Sequence, residues 1–420
     1  MGKLNEEVVS IQRGKKPDEP SVITVNCPDK TGLGCDLCRI ILEFGLHITR
    51  GDISTDGGWC YVVLWVVPHP GLTNLNWESL QQRLLSVCPS YVVHIYNSLL
   101  SSSTSTSVYL LRFCCLNRKG LLHDVTQVLC DLELTIQRVK VMTTPDGRVM
   151  DLFFISDGME LLHTKERQED TCRRLNSILG ESCISCELES VGPEYGPFQQ
   201  EVSSISPEVA RELFGHGSSE NETFSQALTP ELTRLMKADI TIDNLLSPAH
   251  TLLQIHCVDQ KCLLYDIMRM SKDSNIKITY CRFPSSIKGY RDIDLFIQQK
   301  DGRKIMIPEK LDVLCSRLRL EMLHPLRVTI ASRGPDTELL VANPVELSGM
   351  GRPRVFYNVT CALKLLGICI FSAEIWRHST SAREWEVYRF LLDENPEFPL
   401  ANTRARNQIV DKVRRTLMGW

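Results

Sequence analysis

Along the chain, short runs in which apolar residues alternate with polar ones give way to segments whose apolar residues recur every three or four positions, so β-like and α-like periods follow one another. The runs Val22–Val25, Val108–Phe113 and Leu252–Val258 are rich in β-branched and large apolar residues and predict strands. After each comes a polar turn, then a helix of about three turns. The period returns to two at Leu46 and Ile48, and again at Leu134 and Ile136, which predicts a second strand. Cys60–Val67, Val149–Ile155 and Ile293–Gln298 predict a third strand, each following a glycine-containing turn. Leu75–Val87, Lys165–Leu179, Lys310–Met322 and Thr403–Leu417 read as amphipathic second helices, and Tyr91–Tyr96, Cys183–Glu189 and Leu326–Ala331 as closing strands.

The pattern repeats. Its polar turns read DKTGLGCD from Asp29, NRKGLLHD from Asn117, DQKCLLYD from Asp259 and GRPRVFYN from Gly351. Counted from those anchors without gaps, Leu33, Leu121, Leu263 and Val355 coincide, as do Asp36, Asp124, Asp266 and Asn358, and later Ile48, Ile136, Ile278 and Ile370. Agreement of apolar positions in all four copies marks internal repeats. The order βαββαβ in each makes the chain an α+β protein of four tandem ferredoxin-like repeats.

The expected organisation is a polar tail over 1–20, repeat 1 over 21–97, a Ser/Thr linker over 98–107 and repeat 2 over 108–191. An acidic, Ser- and Pro-containing linker follows over 192–248, with short helices at Pro207–Phe214 and Pro230–Met236, then repeat 3 over 249–332 and repeat 4 over 336–420. The long interval between the second and third turns suggests two pairs, the first repeat with the second and the third with the fourth. The fourth repeat has an extra stretch, Pro344–Met350, and no residues for a closing strand, so it is incomplete or borrows an edge. A ferredoxin-like sheet covers one face with its own helices. The second apolar face of Cys60–Val67, carrying Tyr61, Val63 and Trp65, therefore predicts that repeats pack on one another.

Composition narrows the function. Lys and Arg total 47 against 51 Asp and Glu, a formal charge of −4, which provides no basic face for nucleic acid. The longest apolar run, Trp59–Val67, stops at Pro68, far short of the roughly 18 residues of a membrane-spanning helix. With a polar Met1–Pro20 and no secretory pattern, the expectation is a soluble protein of the cytoplasm or nucleus. The 17 cysteines are scattered through apolar segments and read as small buried hydrophobes. Two CxxC spacings, Cys35 with Cys38 and Cys183 with Cys186, lie in a predicted helix and a predicted strand, so no metal site is expected. No phosphate-loop, HExxH, GxSxG or strand-following GxGxxG pattern is present and the ten histidines are dispersed, so neither catalysis nor a cofactor is expected.

The turns carry the candidate chemistry. Gly32 and Gly120 allow positive φ and close approach of a ligand to the backbone. The helix that follows presents backbone amides to a carboxylate, and Asp29 or Asn117 can accept a hydrogen bond from an ammonium. A free amino acid meets both needs. The alternative is that these residues only turn the chain from strand to helix, with Asp36 and Asp124 as first-turn acids favoured by the helix dipole. The third and fourth turns fit a ligand less well, with Cys262 and Arg354 in place of the glycine and Gly351 in place of the anchoring acid or amide. Arg352 and Arg354 either grip an anion or are simply solvated.

The strand, the turns of CPDKTGL and LNRKGLL and the FGLHI and LELTI ends resemble the ACT domain, a small βαββαβ regulatory module. Four copies without an enzyme domain resemble the plant ACT-repeat proteins, themselves similar to the C-terminal ACT pair of bacterial uridylyltransferase. The resemblance implies a regulatory protein that binds an amino acid or related metabolite, with Asp29, Thr31, Gly32, Leu33 and Gly34, and Asn117, Lys119, Gly120 and Leu121, as the ligand-binding residues. A second reading is a ligand-free adaptor that holds an unidentified protein partner through sheet edges or the central linker.

Overall fold

The computed structural model describes residues 8–16, 19–69, 72, 75–89, 107–191, 205–215, 235, 237–346, 349–381, 383–393, 400 and 402–420. Repeat 1 runs β1 (Val9–Gln12), β2 (Ser21–Pro28), α1 (Leu33–Glu43), β3 (Leu46–Thr55), β4 (Trp59–Pro68) and α2 (Trp77–Val87). Repeat 2 runs β5 (Val108–Leu116), α3 (Leu121–Asp131), β6 (Leu134–Thr143), β7 (Arg148–Asp157), α4 (Lys165–Leu179) and β8 (Cys183–Ser190), and the predicted short helix α5 (Pro207–Phe214) follows. Repeat 3 contains β9 (Ala238–Asp243), β10 (Thr251–Val258), α6 (Leu263–Asp273), β11 (Ile276–Phe283), β12 (Tyr290–Gln299) and α7 (Pro308–Leu323). Repeat 4 contains β13 (Arg327–Arg333), β14 (Asp336–Pro344), α8 (Val355–Leu365), β15 (Ile370–Ser379), β16 (Glu384–Leu392) and α9 (Thr403–Met418). The α+β repeat pattern is therefore present four times. The predicted strand Tyr91–Tyr96, the linker over 98–106 and most of Pro230–Met236 lie outside the described residues.

Local chemistry explains each core element. In α1, Leu33, Leu37, Ile40 and Ile41 recur at helical spacing and all are buried, which fixes one face against the sheet. In β4, Cys60, Val62, Leu64 and Val66 point inward while Trp59 and Tyr61 stay exposed, the two-residue period of a sheet covered on one side. The first helices all start at a residue with positive φ: Gly32 at 82°, Gly120 at 76°, Cys262 at 65° and Arg354 at 60°. The turn conformation thus survives where the glycine does not, although a non-glycine residue there costs about 1 to 2 kcal/mol.

The pairing of repeats differs from the expectation. Repeats 1 and 3 form one compact unit, Met1–Ser103 with Arg234–Pro325, and repeats 2 and 4 the other, Thr104–Thr233 with Leu326–Trp420. Among the described strands there are two eight-stranded antiparallel sheets, ordered β1-β2-β4-β3-β11-β12-β10-β9 and β13-β14-β16-β15-β6-β7-β5-β8. At the centre of the first, Tyr280 of β11 pairs with Ser54 of β3 and Phe283 with Gly51. In the second, Ser372 of β15 pairs with Met142 of β6 and Glu374 with Lys140. α1 lies beside α6, and α3 beside α8. Each unit has one apolar core running through both of its repeats, with Ile41 and Leu264 in the first and Val125 and Val359 in the second. Sequence distance did not forbid this arrangement, because the closure entropy of a connecting segment grows only logarithmically with length. The repeats pack on one another edge to edge and helix to helix, not through the second face of β4, where Tyr61 remains half exposed.

The edge strands also need correction. β8 closes repeat 2 as expected, pairing with β5. In the others, a strand preceding the repeat takes that place. β1, within the supposed polar tail, pairs with β2, and β9, within the supposed linker, pairs with β10. The strand assigned to the end of repeat 3 is β13, which pairs with β14 and supplies the edge repeat 4 lacked. An antiparallel edge needs only a neighbour of matching register, and a leading strand provides it as well as a trailing one. α5 covers the outer face of β14 and β16, where Val209 and Leu213 pack with Leu340, Trp385 and Val387. No helix among the described residues is long and apolar enough to cross a membrane.

Candidate functional site

In the first unit the turn from Asp29 to Gly34 faces α6 of repeat 3. Lys272, in the last turn of α6, lays its side chain across Gly32: a Cβ on that glycine would stand 2.6 Å from Lys272 Cε and 2.8 Å from Cδ. Its Nζ donates to Asp36 Oδ1 at 3.2 Å, and Lys30 Nζ reaches Asp36 Oδ2 at 3.1 Å. Arg39 approaches the same carboxylate at 3.8 Å. Asp29 accepts from Thr55 Oγ1 at 2.7 Å and lies 3.9 Å from Lys277 Nζ. Leu33 is buried in the core, so its side chain is structural, whereas Thr31 is exposed. Gly34 faces repeat 3, with Met268 Sδ 3.3 Å from the position of an added Cβ.

The second unit repeats this arrangement with different residues. Lys364, in the last turn of α8, crosses Gly120, and an added Cβ there would lie 2.9 Å from both its Cγ and Cδ. Lys364 Nζ donates to Asp124 Oδ1 at 2.6 Å, and Arg118 Nη1 stands 2.5 Å from Asp124 Oδ2. Asn117 and Lys119 are exposed, Leu121 is buried, and the Asn117 backbone N–H donates to Gly147 O at 2.9 Å. Between α3 and α8 runs a polar seam in which Thr126 Oγ1 and Thr360 Oγ1 are 3.1 Å apart and Tyr357 Oη donates to Gln127 Oε1 at 2.6 Å. Asp36 and Asp124 are thus more than first-turn acids: each anchors a lysine from the paired repeat.

Partial burial raises the Asp124 pKa, but hydrogen bonds and charge from Lys364 and Arg118 outweigh it and hold the carboxyl below its ordinary range. A depressed carboxyl stabilises the fold above its unfolded value, about 4, and loses that contribution as pH falls through its lower folded value. Lys364→Met is therefore expected to flatten the acid side of the second unit's stability curve, read as melting point against pH from about 4 downward.

The third and fourth turns are closed from within. Asp259 receives Arg291 in a two-point grip, Nε to Oδ1 at 2.5 Å and Nη2 to Oδ2 at 3.0 Å, and Arg291 Nη1 also donates to Thr49 O of repeat 1 at 2.8 Å. The Arg291 guanidinium is buried over the Phe283 ring, 4.2 Å from its centroid. In repeat 4, Asn343 Oδ1 accepts from the Arg352 N–H and Asn343 Nδ2 donates to Arg352 O, each at 3.0 Å. Arg352 is itself buried and donates to Leu417 O at 3.1 Å, while Arg354 lies over the Tyr357 ring. Neither a free anion grip nor a solvated arginine describes Arg352. No group of three or more His, Cys, Asp or Glu among the described residues could hold a metal ion, and Cys35 and Cys38 are both buried in α1.

The two lysines had a signal in the sequence. Both stand thirteen residues after their anchors, in the two repeats without the turn glycine, where repeats 1 and 2 carry Leu42 and Cys130. Lysine and glycine are complementary across each pair.

Comparison with known proteins agrees with this architecture. A family model described as the ACR9-like, ACT-like domain matches twice, at residues 95–194 and 239–336. The N-terminal model of ACT domain-containing protein ACR10 matches residues 11–89, and the C-terminal model of ACT domain-containing protein ACR9 matches 337–419. None of these descriptions names a catalytic domain. The chain is similar over the full length of both proteins to ACT domain-containing protein ACR9 of Arabidopsis thaliana, at 61% identity, and to ACR10 of the same plant, at 49%. The chain belongs to the ACR9/ACR10 family of plant ACT-domain repeat proteins.

Proposed function

We propose that the chain is an amino-acid sensor whose ligand binds at the Gly32 and Gly120 turns, between paired repeats, by displacing Lys272 or Lys364. The observation that supports this reading is the lysine itself. In both units an aliphatic chain ending in an ammonium lies across the turn glycine and ends on a helix-first-turn carboxylate. A free amino acid offers the same ammonium, and adds a carboxylate of the kind that helix N-termini favour. Exchange of one for the other alters the contact between α1 and α6, or between α3 and α8, and so couples ligand to repeat packing.

The experiment is a thermal-shift screen of the full chain against the twenty amino acids, with calorimetry on any hit. A ligand at about 100 times its Kd adds roughly 2.7 kcal/mol. Replacing both lysines, Lys272→Ala with Lys364→Ala, removes a competing ion pair worth about 1 kcal/mol at each turn. Binding is then expected to tighten roughly fivefold. A flat screen in the wild-type chain and in the lysine variant would sink the sensor. It would favour the adaptor, a reading with which lysine-filled turns in both units also agree, and which places a protein partner on the outer edges at β1, β9, β8 and β13.

A further inference from the structure

Asp151 stands apart from the other acids of the fold. It lies on β7 opposite Phe113, in the inward-facing row with Val149, Phe153 and Ile155. Strand register puts Val62 at the same place in repeat 1, opposite Val25, and Ile293 in repeat 3, opposite Ile255. The Asp151 side chain is 1% exposed, and neither of its carboxyl oxygens has a hydrogen-bond partner among the described residues. By contrast, the buried Asp36, Asp157, Asp266, Glu321 and Glu338 each face a lysine or arginine. A buried carboxyl without a counter-ion is costly, and a core row gains nothing by carrying one.

The position of this carboxyl suggests its use. Asp151 lines a cavity of about 20 Å3 together with Asn117, Gly120, His123 and Lys364. That space suits a single water-sized polar group. It lies at the start of α3, beside the turn crossed by the Lys364 chain, so the fold has put an uncompensated acid beside the candidate ligand turn of repeat 2. The equivalent positions in repeats 1 and 3 are purely apolar.

We propose that the repeat 2 turn takes a ligand bearing a primary ammonium, whose nitrogen enters this cavity and pairs with Asp151 while its carbon chain follows the course of Lys364 over Gly120. This rests on the reading of that turn as a ligand site and adds the chemical class its floor selects. A cation is the group that completes a buried carboxylate, by charge and by hydrogen bonds. A ligand without an amine would leave Asp151 as it is and gain nothing from it. The turn of repeat 1, with Val62 at this place, lacks that selection, so the two units differ in ligand preference.

The test uses the full chain and n-propylammonium chloride as probe, with tetramethylammonium chloride and sodium propionate as controls for ionic strength and for the alkyl chain. Melting temperature is followed against probe concentration in the wild type, in Asp151→Val and in Asp151→Asn. Asp151→Val restores the residue of repeat 1 and is expected to melt higher than wild type without ligand, and Asp151→Asn keeps the shape if the valine variant folds poorly. Propylammonium, and neither control, is expected to stabilise the wild type, and the variants should need at least tenfold more of it. An equal response in wild type and variants, or no response in the wild type, overturns the proposal. If propylammonium fails while one of the twenty amino acids still stabilises the chain, the ammonium pocket is wrong and the sensor stands. If propylammonium acts through Asp151 while no amino acid binds, the sensor is wrong and the pocket stands.

Discussion

Asp259→Ala is expected to destabilise the first unit by about 3 to 5 kcal/mol, because it leaves the buried Arg291 guanidinium without its carboxylate. The Arg291 side chain is 1% exposed and holds Asp259 at two points, and without the acid it keeps only backbone carbonyl partners such as Thr49 O. The corresponding change in repeat 1, Asp29→Ala, removes a hydrogen bond from Thr55 and should cost only about 1 kcal/mol. The contrast between the same residue type in the same turn is the point. In repeat 3 the acid is held by a buried arginine, and in repeat 1 it meets a threonine hydroxyl and, at 3.9 Å, the Lys277 ammonium. Urea unfolding of the full chain, with hydrogen exchange read at β10 and β12, separates the two variants. Equal losses would show that Asp259 and Asp29 have the same role, and the distinction between a closed and an open turn would fall. Asp259→Asn, which keeps one acceptor for Arg291, should lie between them.

Most of the repeat architecture was legible in the sequence because it depends on local period. Leu46, Ile48, Leu134 and Ile136 report strands whatever they pair with, and the apolar faces of α1, α3, α6 and α8 report helices. What the period does not carry is the identity of the neighbour. Ser54 meets Tyr280 and Met142 meets Ser372, pairs that no local pattern announces, so the coupling of repeat 1 to 3 and of 2 to 4 emerged only in three dimensions. The same holds for the edge strands, since Val9–Gln12 is too short and too polar in its surroundings to stand out. At the site, the glycines and the first-turn acids were readable as types, while the groups they face were not. Lys272, Lys364 and Arg291 come from other elements, and their contacts show two turns crossed by a lysine of the paired repeat and one closed by a buried arginine. Asp151 was readable as an acid inside an alternating strand, but that its carboxyl is buried and uncompensated depends on the packing around it.

Gly32→Val is expected to cost the first unit about 1 to 2 kcal/mol through the β-branched side chain at φ 82°. Displacing Lys272 from Asp36 adds about 1 kcal/mol more, because an added Cβ would stand 2.6 Å from Lys272 Cε. The two contributions separate in the double variant with Lys272→Ala, where the contact is relieved and the backbone strain stays. The consequence for binding is larger than for stability. A side chain at that position occupies the space the lysine leaves, so the first turn should cease to respond to any amino acid while the Gly120 turn is untouched. Calorimetry on the folded variant then reports half the wild-type stoichiometry when both turns bind the same ligand, and loss of one ligand's signal when they differ. A folded Gly32→Val chain that keeps its full stoichiometry would remove the Gly32 turn from the site. The Gly120 turn, with Asp151 beneath it where repeat 1 has Val62, would then carry the binding alone, and Gly120→Val is the variant that decides it.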